Sequence, residues 1–265
     1  MYEYGKDEYV NTDTTTYRPN GTNNHGQMSG GGSVRRSPQD IKSIVIPTTD
    51  RSRCSVLADE ASLAGPYSPQ SALLATPPRI PTPRIVARLA TLPNQLYAAT
   101  DIHLIMNCYQ YYSAQLGVDW VLAFAQCLVE TDQLRSWWVQ RPRRNPARLG
   151  VTGETRLSVP ADIQQWAQAA NGTWHKGLSF LSWDRAVLAH LSHLLCYAVT
   201  DDEMTPAQLE LSIQLPCKHL IPPSYYGRAK QVIDLNGRWS VPGTIYAQMI
   251  VETANRLVED PGPGV

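Results

Sequence analysis

The sequence predicts a mainly α domain with a small β or irregular insert, preceded by a low-complexity N-terminal segment. Three observations predict it. Residues 1–85 are rich in Thr, Asn, Gly, Ser and Pro. From Asn94 onward, apolar residues recur at the 3.6-residue spacing of helices. Between residues 141 and 160, Pro and Gly interrupt that rhythm. The chain has 265 residues, 43% of them hydrophobic, which suits one core domain plus extra segments. The division falls at residues 1–85 and 86–265.

"TTTYRPNGTNNHGQMSGGGSVRRSPQD" cannot bury enough apolar surface to offset chain entropy, so it is expected to be disordered or extended. "IKSIVIPTTD" suits one short strand. "ATPPRIPTPRIVARLATLP" carries Pro77, Pro78, Pro81 and Pro83; proline fixes φ and extends its predecessor, which predicts a stiff linker.

The helices follow in order. Thr100 or Asp101 can cap a helix bearing Ile102, Ile105, Met106, Tyr109 and Tyr112 on one face, with Gly117 to end it. Asp119 can cap the next, whose inward stripe is Trp120, Phe124, Cys127 and Leu128. That helix runs to about Asp132, with Leu134 as its furthest extent. "LGVTGETRLSV" suggests one or two short strands. "VPADIQQWAQAAN" reads as a short helix opening after Pro160 and stopping at Asn171-Gly172. "SWDRAVLAHLSHLLCYAV" is a strong helix burying Ala186, Leu188, Leu191, Leu194 and Leu195. "TPAQLELSIQLP" is another, with Pro206 in its first turn. "VPGTIYAQMIVETANRLVED" closes the chain, with Ile245, Met249, Ile250, Ala254 and Leu257 for burial.

Composition narrows the function. Lys plus Arg is 23 and Asp plus Glu is 23, so net charge offers no case for a nucleic-acid partner. Five scattered cysteines without a Cys-x-x-Cys pair form neither a disulfide framework nor a zinc site. Cys108, Cys127 and Cys196 sit in apolar runs and read as core residues. His190 and His193, three apart on a helix, would need a third ligand to hold a metal. They read as one buried and one half-exposed histidine, so no metal or cofactor is expected. "SGGGS" lacks the Gly-Lys-Ser/Thr of a phosphate loop. Neither a Gly-x-Ser-x-Gly elbow nor a dinucleotide fingerprint is present. No apolar run reaches the roughly 18 residues of a membrane span. The N-terminus also has no basic and apolar secretion signal.

One helix end stands out. "GVDWVLAFAQCLVETDQLRSWW" delivers Glu130 at the end of an apolar helix, ahead of Trp137 and Trp138. The helix macrodipole is negative there and disfavours an ionised carboxylate. Indoles that exclude water push in the same direction. A carboxyl held protonated near neutral pH is what a general acid needs to protonate a leaving oxygen, as in glycoside cleavage. The alternative is a solvated Glu130 paired with Arg135.

The surroundings carry a resemblance. Ala125, Gln126, Glu130, Thr131 and Ser136 come first; then Asn145, Gly150, Val151, Thr152 and Gly153; then Trp183 and Asp184; then Pro242, Tyr246 and Ala247. In order and spacing this set resembles the glucosaminidase family of peptidoglycan hydrolases, over about residues 100–258. The resemblance implies a lysozyme-like α+β fold and hydrolysis of N-acetylglucosamine-containing peptidoglycan strands. It makes Glu130 the proton donor and places Tyr246 beside it, supporting the acetamido group or the attacking water. The turn from Asn145 to Gly153 becomes a cleft wall, and Trp137, Trp138 and Trp183 become candidates to stack on sugars.

Two departures leave an alternative open. Arg148 stands where related sequences usually carry Gly, so a long cation narrows the cleft or meets an acidic peptide stem. The second carboxylate is also not evident. Glu154 and Asp162 are the candidates to face Glu130, with Glu154 favoured; failing both, the substrate's N-acetyl group serves, or the domain binds without cutting. A non-catalytic glycan-binding or structural module of a larger phage or surface assembly is therefore the second expectation. On either one, the partner is peptidoglycan glycan, and the N-terminal segment is a candidate tether to an assembly partner. The arginine-rich "RPRRNPAR" is either a solvated loop or an attractor for anionic wall polymer.

Overall fold

The computed structural model describes residues 66–77, 81, 84–213 and 219–259. Residues 1–65 of the expected disordered or extended segment, with the short strand near residue 45, lie outside the described residues, as does most of the proline run.

Six α-helices and one small sheet make up the described chain. They are α1 (Arg84–Ala90), α2 (Ala99–Leu116), α3 (Trp120–Glu130), β1 (Thr155–Arg156), β2 (Trp166–Gln168), β3 (Trp174–Lys176), α4 (Trp183–Ala198), α5 (Pro206–Ile213) and α6 (Tyr246–Val258). The fold is thus mainly α, as expected. Short 3-10 turns fill several of the connections. No described helix is long and apolar enough to cross a membrane.

α3 is the central rod. Every residue from Trp120 to Leu128 is buried, which is how a helix apolar on all sides behaves. Asp119 caps it, accepting from the backbone N–H of Val121 at 2.9 Å and Leu122 at 3.1 Å. α6 packs along α3, and α4 packs along α2. α2 ends where expected: Gly117 adopts φ 71, and its N–H donates to the Ser113 carbonyl. Asp101 is not its cap but lies inside the first turn, where its side chain accepts from the Ala98 N–H. On α6, Ile250, Ala254 and Leu257 are buried as expected, whereas Ile245 and Met249 are 64% and 44% exposed.

Three boundaries differ from expectation. The folded unit starts earlier than residue 86. Tyr67 and Leu73 belong to the core, and "RIVARLA" after the prolines is helix α1, burying Ile85, Val86 and Leu89. α3 stops at Glu130 rather than at Asp132. The segment after Pro160 is a hairpin, not a helix: β2 and β3 pair antiparallel around Asn171-Gly172, and β1 adds on the other edge of β3. Asn-Gly favours tight hairpin turns as well as helix stops, and β3 supplies the partner that decides between them.

Candidate functional site

α3 holds Glu130 at its last position, half-buried. The chain then leaves abruptly. Thr131 Oγ1 donates to the Cys127 carbonyl at 2.6 Å and accepts from the Leu134 N–H at 3.1 Å. Asp132, Gln133 and Leu134 follow with φ of 50, 58 and 67. Three successive L-residues in left-handed geometry are strained. The turn reverses the backbone at once and leaves the Glu130 side chain at a helix end. Arg135 pairs with Asp132 at 2.8 Å, so it does not serve as the partner of Glu130.

Three groups converge on the Glu130 carboxyl. Tyr246, the first residue of α6, donates its hydroxyl to Oε1 at 2.5 Å. Trp239 and Arg148 also lie near enough to lower its pKa. Burial raises the Glu130 pKa; Tyr246, Arg148 and Trp239 oppose that shift. The net direction is upward, as a proton donor needs. Burial and the neighbouring carboxyl in turn push Tyr246 well above the usual tyrosine range, which keeps its hydroxyl a donor.

Arg148 and Trp239 both line a cleft of about 470 Å³, whose other walls include Thr152, Lys176, His193 and Arg238. A second cavity of about 690 Å³ shares Gln165, His219 and Leu220 with it and presents Trp166 and Phe180. Among the described residues lining the first cleft there are arginine, lysine and histidine side chains but no carboxylate; Glu130 lines neither cavity and is joined to the first through Arg148 and Trp239.

The other expected site residues fall in different places. Asn145 is fully buried: Nδ2 donates to the carbonyls of Leu149 and Leu178, and Oδ1 accepts from the N–H of Ala147 and Leu149. Its amide is used within the protein, so it shapes the turn that presents Arg148 rather than meeting a ligand. Arg148 itself has φ 52, a further reason that glycine suits this position. Trp183 is 4% exposed and packs edge-on against Tyr97 at 5.6 Å, so it is a core residue with no free face for a sugar. Trp137 and Trp138 are half-buried and meet edge to face at 4.8 Å. The Arg143 guanidinium covers Trp137 at 3.8 Å, and neither indole lines either cavity.

Glu154 is bound to the Arg156 guanidinium at 2.7 Å and the Lys176 ammonium at 3.2 Å, which hold its carboxyl below the usual range. It is a stabilised anion at the sheet, and no contact joins it to Glu130. Asp162 lines the second cavity and caps the turn at Ile163. His190 and His193 are both buried, where one half-exposed residue was expected. No group of three metal-ligating side chains occurs among the described residues. Cys108, Cys127 and Cys196 are buried as expected.

The sequence reading missed Trp239 and the function of Gln126 in packing. Gln126 carries a signal, being a lone amide inside "VLAFAQCLV". Trp239 carries none: it sits in a loop whose place beside Glu130 is set by tertiary packing. No family model matches the chain, and no curated protein or solved structure matches it.

Proposed function

We propose that the chain is a glycoside hydrolase with a lysozyme-like scaffold that cleaves N-acetylglucosamine-containing strands of peptidoglycan. The observation that carries this is Glu130. It is a carboxyl at a helix end whose pKa burial raises; Tyr246 donates to it, and Arg148 and Trp239, which line the cleft, act on its charge. Protonated Glu130 gives its proton to the glycosidic oxygen as the bond from that oxygen to the anomeric carbon breaks. The Tyr246 hydroxyl and the Arg148 charge then stabilise the carboxylate left behind. The sugar cation is captured by water, or first by the substrate's own acetamido oxygen. Glu154 is paired with Arg156 and Lys176 and makes no contact with Glu130, which favours the acetamido route over one through Glu154.

The test is reducing-end release from purified peptidoglycan. Wild type is expected to release N-acetylglucosamine ends, and Glu130→Gln to lose activity by about 100-fold or more while keeping its thermal transition. Wild-type-like release by the mutant would sink the proposal. Activity should fall as pH rises through the raised pKa of Glu130, because the acid form is the active one. Tyr246→Phe, which removes a donor to the carboxylate, should move that alkaline limb further up; a limb that stays put or moves down counts against Glu130 as the acid.

The carboxylate-free cleft also favours a second reading, a module that binds wall glycan without cutting it. Co-sedimentation of both wild type and Glu130→Gln with walls, without release from either, would select it.

A further inference from the structure

We infer that Gln126 and His190, both buried in the core, are positioning residues for Glu130. With Tyr109 and Tyr246 they form a one-directional chain of hydrogen bonds that fixes Oε1 of Glu130 as an acceptor and leaves the acid's proton to Oε2. The inference rests on Glu130 being the acid.

The geometry runs from core to cleft. Tyr109 on α2 places its hydroxyl 2.8 Å from Nδ1 of His190 on α4. Nε2 of His190 lies 3.0 Å from Oε1 of Gln126 on α3. Nε2 of Gln126 donates to the Tyr246 hydroxyl at 2.8 Å, and that hydroxyl donates to Glu130 at 2.5 Å. Four helices thus contribute to one line of side chains. Gln126 is 1% exposed and His190 fully buried, so unpaired polar ends there would be costly.

The direction of each link follows from the chemistry of its ends. An amide oxygen only accepts, so the hydrogen of His190 is on Nε2. Burial lowers the His190 pKa to about 3, which keeps the ring neutral. Its Nδ1 is therefore bare and accepts from Tyr109. The Tyr246 hydroxyl, having accepted from Gln126, gives its single proton to Glu130. Turning the Gln126 amide over would reverse the order: the histidine hydrogen would move to Nδ1, and Tyr246 would donate to Gln126 instead. Only the first order supplies Glu130 with a donor. Aligned links polarise one another, so Gln126 and His190 strengthen the hydroxyl that meets the carboxylate.

Charged and polar groups from several elements face the two titrating residues. Glu130 is faced by Tyr246 from α6, Arg148 from the cleft turn, Trp239 from the loop before α6, and Cys127 on its own helix. His190 is faced by Tyr109, by Gln126, by the Trp239 ring at 5.7 Å, and by His193 on its own helix. None of these carries a negative charge toward His190 that would hold it protonated.

The test reads the full chain without substrate. Ring-nitrogen NMR of His190 in the wild type is expected to show the neutral Nε2–H tautomer, with no titration between about pH 5 and 8, the window in which an ordinary histidine changes charge. The Nδ1–H tautomer, or a titration in that window, overturns the inference. Carboxyl-carbon NMR of Glu130 is expected to show its proton affinity raised about threefold in Gln126→Leu, within the range set by the net worth of one hydrogen bond. An unchanged midpoint in a folded Gln126→Leu also overturns it. Should that variant not fold, the wild-type tautomer alone decides. A merely structural Gln126 would lower activity at all pH values alike, whereas a positioning Gln126 shifts the alkaline limb upward on removal. Failure of the hydrolase proposal is read separately, from Glu130→Gln on purified walls.

Discussion

Asp119 shows how much a single carboxyl does in this chain. It caps α3, accepts the Tyr67 hydroxyl at 3.0 Å, and is 1% exposed. Burial pushes its carboxyl from 3.8 up to about 6, against the lowering influence of its hydrogen bonds. The sign follows from linkage. The folded state binds this proton more tightly than the unfolded state, so the contribution to stability is full below pH 3.8 and is lost as pH rises through about 6. The span corresponds to about 3 kcal/mol. Urea unfolding is expected to show stability falling over that window, and Asp119→Asn, which keeps an acceptor for the helix N–H groups, should flatten the fall. An identical slope in the mutant would refute this. The capping role was legible, because an Asp directly before an apolar run is a local signal. The burial was not, because Tyr67 lies 52 residues upstream. Likewise Glu130 was legible from its helix end, while Trp239 and the partner line through Gln126 depend on helices meeting in space.

At the scale of elements, the sequence rhythm found the long helices and failed where the chain turns. No residue pattern announces the left-handed run from Asp132 to Leu134, since none of its members is Gly or Asn. That run ends α3 two residues sooner than propensity suggests. Gln133, at φ 58 and half-buried, is the member with the least to lose. Gln133→Gly is expected to relieve strain and stabilise the fold by about 1 kcal/mol, seen as a Tm rise of roughly 2–4 °C. A lower Tm would mean that the turn is not strained. The hairpin was misread because Ala and Gln are good helix formers and the pairing strand β3 lies beyond the turn. Its packing gives a second prediction. A Cβ on Gly177 would meet the Trp138 ring at 2.5 Å and Val151 at 2.8 Å. Gly177→Ala should therefore destabilise the protein by about 1–3 kcal/mol, measured by denaturant unfolding. A neutral result would show that the indole has room to move.

For the molecule as a whole, the placement of residues 66–77 was the largest feature that the sequence hid. Their composition resembles the N-terminal segment, yet they lie across the ends of distant elements. Leu73 donates its N–H to the Lys230 carbonyl at 3.0 Å, and its own carbonyl accepts from the Asp119 N–H at 2.9 Å. The Asn255 side chain on α6 clamps the backbone of Tyr67 from both sides, accepting its N–H at 2.8 Å and donating to its carbonyl at 3.0 Å. The Tyr67 hydroxyl reaches the cap of α3. One residue thus joins the two helices that carry Glu130 and Tyr246. Asn255→Ala removes the backbone clamp, and Tyr67→Phe removes the hydroxyl bond; each should cost about 1–3 kcal/mol. Because both act on the same tether, the second loss should cost less once the first has freed it. A double-mutant cycle in denaturant is expected to show a coupling of at least about 0.5 kcal/mol. Simple additivity would mean that the two ends of Tyr67 hold independently. Coupling would identify this crossing as the element that keeps α3 and α6, and with them Glu130 and Tyr246, in register.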